Sequence, residues 1–220
     1  MKRLLTFLVA VMAGYAFLMP TVPMMAQETD QKAAAKDEST DKKEVEEKIE
    51  MTSVTLGDGR LEMKVPKAWE KKKPANNVIE MEFAPVEKVE IKEGEEPQTD
   101  LQKARMTITA AMGSVEQNIE RWKGQFTQED DSSTSDHTQV SEKKVNGIPV
   151  HIVSITGTYD DRVGPFAGKG VSREGYRMLA AIVETKVAGT YFFKLYGPEK
   201  VVNDHEKGFK EMLESLRISL

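Results

Sequence analysis

The C-terminal segment 176–220 constrains the fold of this chain more than any other stretch. Residues 176–184 (YRMLAAIVE) and 190–196 (TYFFKLY) are rich in aromatic and branched apolar side chains, which favours two strands. The short connection between them contains Gly189, which tolerates positive φ. Such a connection permits only antiparallel pairing, because parallel neighbours need a much longer crossover. The sequence therefore predicts a β-hairpin.

An amphipathic helix is predicted directly after this hairpin, over residues 199–216. Pro198 suits the start of a helix, and Glu199 places a negative charge near the positive end of the helix dipole. We expect the apolar stripe of this helix to cover one face of the sheet. The stripe consists of Val201, Val202, His205, Phe209, Met212, Leu213 and Leu216.

Upstream segments predict further antiparallel strands. Alternating apolar residues mark the strands, and glycine-containing turns separate them. Asn146-Gly147 is the strongest turn signal, because both residues tolerate the positive φ of a two-residue hairpin. The predicted strands cover residues 54–56, 61–65, 78–83, 105–112, 139–144 and 148–158. In the strand 105–112, one apolar face is expected to comprise Met106, Ile108, Ala110 and Met112.

A second helix is predicted over residues 114–126. Ser114 and Gln117 fit a capping box, in which each side chain satisfies a free backbone N–H of the other. Its apolar stripe consists of Val115, Ile119, Trp122 and Phe126. We therefore expect an α+β fold, in which a single antiparallel β-sheet is flanked by two main helices as an αβα sandwich.

Residues 1–26 have the features of a secretory signal peptide. A basic start and an apolar run over residues 4–19 precede two prolines. Met24 is not the small residue preferred three positions before cleavage, so an uncleaved N-terminal membrane anchor stays open as the alternative. The run is shorter than the ~20 residues of a spanning helix. We expect an exported protein, periplasmic or extracellular, with no membrane span after cleavage.

The remaining chain divides into a linker and one domain. Residues 27–50 are polar and charged without aromatic side chains, which predicts a disordered linker. Residues 51–220 form the predicted folded domain, which has no cysteine and must be stabilised by its core alone. The net charge of −5 argues against nucleic acid as a partner. We expect the domain to be a monomer.

Several segments resemble the PsbP-like fold, an αβα sandwich found in the extrinsic P subunit of photosystem II and in a nuclear-import factor that binds Ran. The resemblance covers residues 51–220 and implies the same sandwich. It does not extend to a Ran-binding or manganese-cluster motif, so those functions are not implied. The chain is also similar to secreted bacterial proteins of unassigned function. The segments are LEMKVPKAW at 61–69, GIPVHIVSITG at 147–157, FKEMLESL at 209–216, RWKGQF at 121–126 and YGPEK at 196–200.

The sequence contains no recognisable catalytic, cofactor or metal motif. It has neither a nucleophile elbow nor a phosphate-binding loop. His137 lies among Asp130, Asp131 and Asp136, but the spacing matches no calcium loop, so a polar loop is favoured over a weak cation site. The other two histidines are expected to be structural: His151 in a strand and His205 on a helix. We predict no cofactor, no metal and no enzymatic activity.

The best candidate for recognition is a long loop predicted over residues 159–176. It combines glycines with arginine and aromatic side chains, which recognition surfaces favour. The alternative is an ordinary connection whose Phe166 packs back into the domain. The residues expected to bind an anionic group or a protein are Tyr159, Arg162, Phe166, Arg173 and Tyr176.

These observations predict a secreted, non-catalytic accessory domain. We expect it to bind an envelope protein or a small ligand through residues 159–176 and the neighbouring sheet surface. A competing hypothesis is a carrier of an apolar small molecule, with a pocket between sheet and helix lined by Trp122, Phe126 and Tyr196. An enzyme of unknown class is the third hypothesis, and it requires a cleft that joins titratable groups with shifted pKa values.

Overall fold

The computed structural model describes residues 48–88, 102–162 and 170–219. The predicted signal peptide, most of the linker and loop residue Phe166 lie outside these ranges. None of the described helices is long and apolar enough to span a bilayer. The strands are β1 Met51–Leu56, β2 Leu61–Pro66, β3 Glu70–Lys72, β4 Ile79–Ala84, β5 Arg105–Ala111, β6 Phe126–Thr127, β7 Thr138–Val145, β8 Ile148–Asp161, β9 Val171–Thr185, β10 Gly189–Pro198 and β11 Arg217–Ile218. The helices are α1 Val115–Lys123 and α2 Glu199–Glu214.

The predicted α+β class with antiparallel strands is confirmed, but the prediction of a single sheet is wrong. The larger sheet has eight strands, in the order β3-β4-β5-β10-β9-β8-β6, with β7 also paired to β8. The smaller sheet has the order β1-β2-β11. Helix α2 contacts β2 of the small sheet as well as β9 and β10 of the large one. The first hairpin packs on the helix instead of extending the large sheet, because the buried side chains of β2 require an apolar partner.

Both hairpins with strong turn signals form as predicted. Strands β9 and β10 pair directly from Thr185 opposite Gly189, whose φ is 81°. Strands β7 and β8 join at Asn146 and Gly147, whose φ values are 49° and 82°. Positive φ at both central residues is the geometry that matches the twist of the flanking strands.

The main hydrophobic core lies between α2 and one face of the large sheet. Every residue of the predicted α2 stripe is buried, and Leu216 is buried just past the end of the helix. Phe209 packs among side chains of the sheet that include Phe193 and Leu195 of β10. Burial of side chains this large contributes about 1.5–3 kcal/mol each, so this face is the principal source of stability.

A second hydrophobic cluster lies on the opposite face of the large sheet, under α1. The predicted capping box is present, with Ser114 and Gln117 exchanging hydrogen bonds of 3.2 Å. Helix α1 ends earlier than predicted, at Lys123, so Phe126 belongs to β6 and pairs with Tyr159. The prediction of a buried Met112 is also wrong: it is 90% exposed, because β5 ends one residue earlier.

The prediction of a long loop over residues 159–176 is wrong in its bounds. Strand β8 extends to Asp161 and β9 starts at Val171, and these two residues face each other in the ladder. Local geometry explains two glycines in or next to this segment, Gly157 and Gly170. The register shifts just after Gly157, whose φ is 140°. A Cβ at Gly170 would collide with Asp160 and Asp161. Gly157 thus serves a bend within β8, and Gly170 serves a close contact just before β9.

One buried polar contact ties α2 to the β2–β3 turn. The Trp69 indole N–H donates a 3.0 Å hydrogen bond to His205 Nδ1. The other ring nitrogen, Nε2, lies 2.8 Å from the carbonyl oxygen of Val86 and donates to it. Both ring nitrogens are thus satisfied in a neutral imidazole, as expected for a structural histidine. Burial lowers the pKa of His205, with a smaller contribution from Lys88 in the same direction, while Val86 and Asp204 oppose it.

The lowered pKa of His205 predicts a loss of stability in acid. Since the folded pKa lies below the ordinary value of 6.5, the unfolded state takes up a proton first as the pH falls. The free energy of unfolding should therefore decrease as the pH falls below about 6.5, measured by urea unfolding monitored by fluorescence. His205→Gln should flatten this dependence, whereas the control His137→Gln should leave it in place.

The structural role of His205 can also be tested by removing its hydrogen bond with Trp69. His205→Phe should cost about 1–3 kcal/mol, because it leaves the buried indole N–H without an acceptor. A His205→Phe protein that is as stable as wild type would contradict the structural role of the imidazole.

Candidate functional site

The candidate site lies on the sheet face under α1 and combines cations with aromatic rings. Phe192, Lys194 and Tyr196 alternate along β10 and therefore point to the same face. Arg105 of β5 lies opposite Tyr196 in the ladder. We call this set of side chains the aromatic–cationic cluster. Its members are Arg105, Arg121, Trp122, Tyr159, Phe192, Lys194 and Tyr196.

Lys194 is the central cation of the aromatic–cationic cluster. Its ammonium lies 5.7 Å from the ring centroid of Trp122 and 5.3 Å from that of Tyr196. It donates a 3.2 Å hydrogen bond to the side-chain oxygen of Gln125. Among the described residues, no carboxylate lies within ion-pair distance of it. Burial lowers the pKa of Lys194 to about 7, and the positive charges of Arg121 and Arg105 act in the same direction.

A second cation is already neutralised within the domain. Arg105 donates from Nε and Nη2 to the two carboxylate oxygens of Glu82, at 2.8 and 3.2 Å. Its Nη1 donates a 2.7 Å hydrogen bond to the hydroxyl of Tyr196. The hydrogen bond from Arg105 lowers the pKa of Glu82, and burial opposes this effect. The two-pronged pair thus fixes the orientation of the guanidinium beside Lys194.

The aromatic rings of the site support one another. Tyr159 stacks on Tyr176 with ring centroids 6.1 Å apart, and its centroid lies 5.3 Å from that of Tyr196. Trp122 meets Phe192 edge-to-face at 5.1 Å. Burial raises the pKa of Tyr159 above its usual range, so this phenol stays protonated.

Four of the residues predicted from the sequence meet in this region. Tyr159 and Tyr176 were predicted as part of the recognition loop. Trp122 and Tyr196 were predicted, with Phe126, to line the carrier pocket. Phe126 joins them, with its ring 5.1 Å from Tyr159. The structure therefore brings together residues that the sequence assigned to separate sites.

The two predicted arginines have carboxylate partners of their own. Arg162 pairs with Asp160, and Arg173 Nε lies 3.5 Å from Asp161. Arg173 also faces Tyr159 in the ladder. Together with Tyr176, Arg173 lines an open cavity of about 520 Å³ at this end of the sheet. Phe166 lies outside the described residues.

Sequence reasoning missed the central cation and its neighbours. A signal for Lys194 existed, because one lysine at an alternate position of the aromatic strand TYFFKLY shares a face with Phe192 and Tyr196. No comparable signal exists for Glu82 and Arg105, which come together only through the pairing of β4 with β5. Glu82 is buried beside Arg105.

The acidic segment around His137 is held by hydroxyl groups. Asp130 accepts hydrogen bonds from the hydroxyl and the backbone N–H of Ser132, at 2.6 and 3.1 Å. The Ser132 hydroxyl also lies 2.9 Å from His137 Nε2. Within the part of the chain that the structure describes, no group of three or more histidine and carboxylate side chains is arranged to hold a metal ion.

No protein-family model and no curated protein matches the sequence. The solved structures to which this chain is similar include three at 11% identity. Cyanobacterial PsbP (CyanoP) of Synechocystis sp. PCC 6803 matches 77% of this chain and 92% of its own, with a TM-score of 0.43. The Ran-binding protein Mog1p of Saccharomyces cerevisiae matches 78% and 96%, with a TM-score of 0.42.

The third similar structure is the protein of unknown function PA94 from Pseudomonas aeruginosa. It matches 77% of this chain and 98% of its own, with a TM-score of 0.38. The PsbP-like fold that the sequence resembles is thus found again among solved structures. Similarity of this size describes the fold and assigns no function.

The lowered pKa of Lys194 predicts that this residue destabilises the domain below neutral pH. Since one pKa unit corresponds to about 1.4 kcal/mol, a lowering to about 7 makes the charged amine unfavourable by on the order of a few kcal/mol. Lys194→Met should therefore increase the free energy of unfolding at pH 6 by up to this amount. The gain should shrink between pH 7 and 10, where the wild-type amine is neutral in the folded state and charged in the unfolded one.

The control for this measurement is Lys144→Met, which removes an exposed lysine of β7. It should change stability by no more than about 0.5 kcal/mol at either pH. A Lys194→Met protein with the same pH dependence as wild type would show that Lys194 titrates normally.

Proposed function

We propose that this protein is an exported, non-catalytic binding domain that recognises an anionic group of an envelope protein or small ligand through the aromatic–cationic cluster. The single observation that carries the proposal is the environment of Lys194. Its amine has one neutral hydrogen-bond partner, Gln125, and two aromatic rings around it. Lys194 is half-buried, and a cation withdrawn from water is costly unless an opposite charge accompanies it, so an anionic ligand group would stabilise the charged form.

Arg121 extends the same positive region to the domain surface. This side chain is exposed and lies over the ring of Phe192, with 5.5 Å between the guanidinium carbon and the ring centroid. No carboxylate among the described residues is within ion-pair distance of it. The ring of Phe192 is itself buried, so Arg121 is the exposed member of this pair. Arg121 and Lys194 together offer one surface contact and one deeper contact for a single anionic group.

This arrangement favours the sheet surface over the loop as the recognition element. The charges of Arg162 and Arg173 are already balanced by Asp160 and Asp161. An anionic ligand would have to displace those carboxylates, which reduces its net gain. The charges of Arg121 and Lys194 require no such exchange.

A comparison of two charge-matched double variants tests the proposal. Crosslinking in the native envelope, followed by mass spectrometry, would quantify captured partners. Arg121→Gln with Lys194→Met should weaken capture of the main partner by about a hundredfold or more, because two charged contacts worth about 1.5 kcal/mol each are lost together. Arg162→Ala with Arg173→Ala should reduce it less than about threefold.

The pH dependence of capture adds an independent readout. Since an anion binds the protonated amine, wild-type capture should be stronger at pH 6 than at pH 8, and Lys194→Met alone should abolish this difference. A loss confined to the Arg162 and Arg173 variant would place recognition on the predicted loop and refute our assignment. Equal capture by all variants would refute both.

The carrier hypothesis gains no support from the packing of its predicted pocket. Trp122, Phe126 and Tyr196 are 1%, 4% and 9% exposed. Trp122 packs on Phe192, while Phe126 and Tyr196 both pack on Tyr159. These side chains fill the space between α1 and the sheet that an apolar ligand would need.

An enzyme is the second candidate, because several groups with shifted pKa values share the cluster. An amine with a pKa of about 7 is partly neutral at physiological pH and is then a nucleophile. However, the partner of Lys194 is the amide of Gln125, which cannot act as a general base, and Glu82 is engaged by Arg105. A borohydride-trapped adduct on Lys194 after exposure to an aldehyde substrate would favour catalysis.

A further inference from the structure

A second cavity, unrelated to the aromatic–cationic cluster, opens at the surface beside α2, next to the main core. Its volume is about 470 Å³, within the range of about 300–1,000 Å³ that is typical of small-molecule sites. The segment before β1 forms one wall through residues 48–50, the turn after β2 forms another through residues 66–69, and α2 forms the floor. We call it the Trp69 cavity.

The walls of the Trp69 cavity are mainly apolar and fixed in position. Ile49, Pro66 and Trp69 contribute the apolar surface. The Trp69 ring cannot turn freely, because its N–H is bonded to His205, which is bonded in turn to Val86. The polar atoms of both rings are therefore satisfied within the protein, and the small part of the Trp69 side chain that lines the cavity, 4% exposed in all, is held rigid.

Gly208 shapes the floor of the cavity. A glycine inside a helix costs about 1 kcal/mol relative to alanine. A Cβ here would lie 2.9 Å from Pro66 Cγ, 3.7 Å from Trp69 and 3.8 Å from Ile49. The absence of a side chain thus lets α2 approach Pro66 closely while the cavity stays open above the helix.

Positive charge predominates at the rim of the Trp69 cavity. Three lysines line it, Lys48, Lys67 and Lys88, together with two carboxylates, Glu50 and Asp204. Both carboxylates already have cationic partners: Glu50 lies 3.2 Å from Lys67 Nζ, and Asp204 lies 3.5 Å from Lys200 Nζ. Lys48 and Lys88 have no such partner among the described residues. Because Lys200 also pairs with Glu87 at 2.7 Å, Asp204 counts in the balance, and the three lysines and two carboxylates that line the cavity leave a net charge of one positive.

We propose that the Trp69 cavity binds a small amphipathic carboxylate. The apolar part of the ligand packs between Ile49, Pro66 and Trp69, where burial of each CH₂ group contributes about 0.8 kcal/mol. The carboxylate stays at the rim beside Lys48 and Lys88. This assignment is independent of the function proposed for the aromatic–cationic cluster, because the two sites lie on opposite faces of the large sheet and share no residue.

Two probes with the same number of carbons, one with an anionic and one with a neutral head group, test this proposal on the full chain. Decanoate and decan-1-ol are titrated against ¹⁵N-labelled protein, and the indole N–H signals of the two tryptophans are followed by NMR. Decanoate should shift the Trp69 signal saturably, with an affinity about three- to tenfold higher than that of decan-1-ol, since two exposed charge contacts contribute up to about 1 kcal/mol each. The Trp122 signal should not move.

Two charge-matched double variants locate the carboxylate. Lys48→Gln with Lys88→Gln should bring the affinity for decanoate to that for decan-1-ol. Lys144→Gln with Lys186→Gln, which removes two lysines outside the cavity, should retain the preference. A Trp69 signal unmoved by decanoate, equal affinity for the two probes, or an unchanged preference in the first variant would overturn the proposal. A shift of Trp122 alone would move the ligand to the other cluster and leave the proposed function intact.

Discussion

The structure depends on strand β10, whose alternate side chains build both hydrophobic clusters. Tyr191, Phe193 and Leu195 point to the α2 side, while Phe192 and Tyr196 point to the α1 side. A strand with apolar residues on both faces is stable only when both faces are covered. Helix α2 covers one face of the sheet, and helix α1 covers the other. Lys194 is the exception on this strand, and the candidate site is built around it.

His205 and Lys194 show that withdrawal of a titratable side chain from water can either stabilise or destabilise the fold. His205 is buried among groups that satisfy both ring nitrogens, so its neutral form serves as a link between α2 and the turn at Trp69. Lys194 is half-buried with a single neutral acceptor, so its charged form is disfavoured. The first arrangement stabilises the fold. The second costs stability, and a negative charge from outside the domain would reduce that cost.

Much of the architecture was accessible from local patterns. The hairpins at Gly189 and at Asn146-Gly147, the capped helix at Ser114 and the α2 stripe are all contained in short stretches with strong periodicity or turn chemistry. The errors concern features that depend on distant contacts. Strand β11 pairs with β2 across most of the chain, and Gly170 lies in close contact with Asp160 and Asp161 just before β9.

The sequence by itself determined the class of elements, their order and the apolar faces they must bury, because periodicity and turn residues act over a few positions. It also contained the lysine within TYFFKLY. Only the tertiary structure decided which charges are paired. Arg162 and Arg173 pair with carboxylates close to them in the sequence, and Arg105 pairs with Glu82. Lys194 lies near two aromatic rings and donates to the amide of Gln125. Electrostatic energies depend on distance and burial in three dimensions, and neither quantity is encoded in a local pattern of residues.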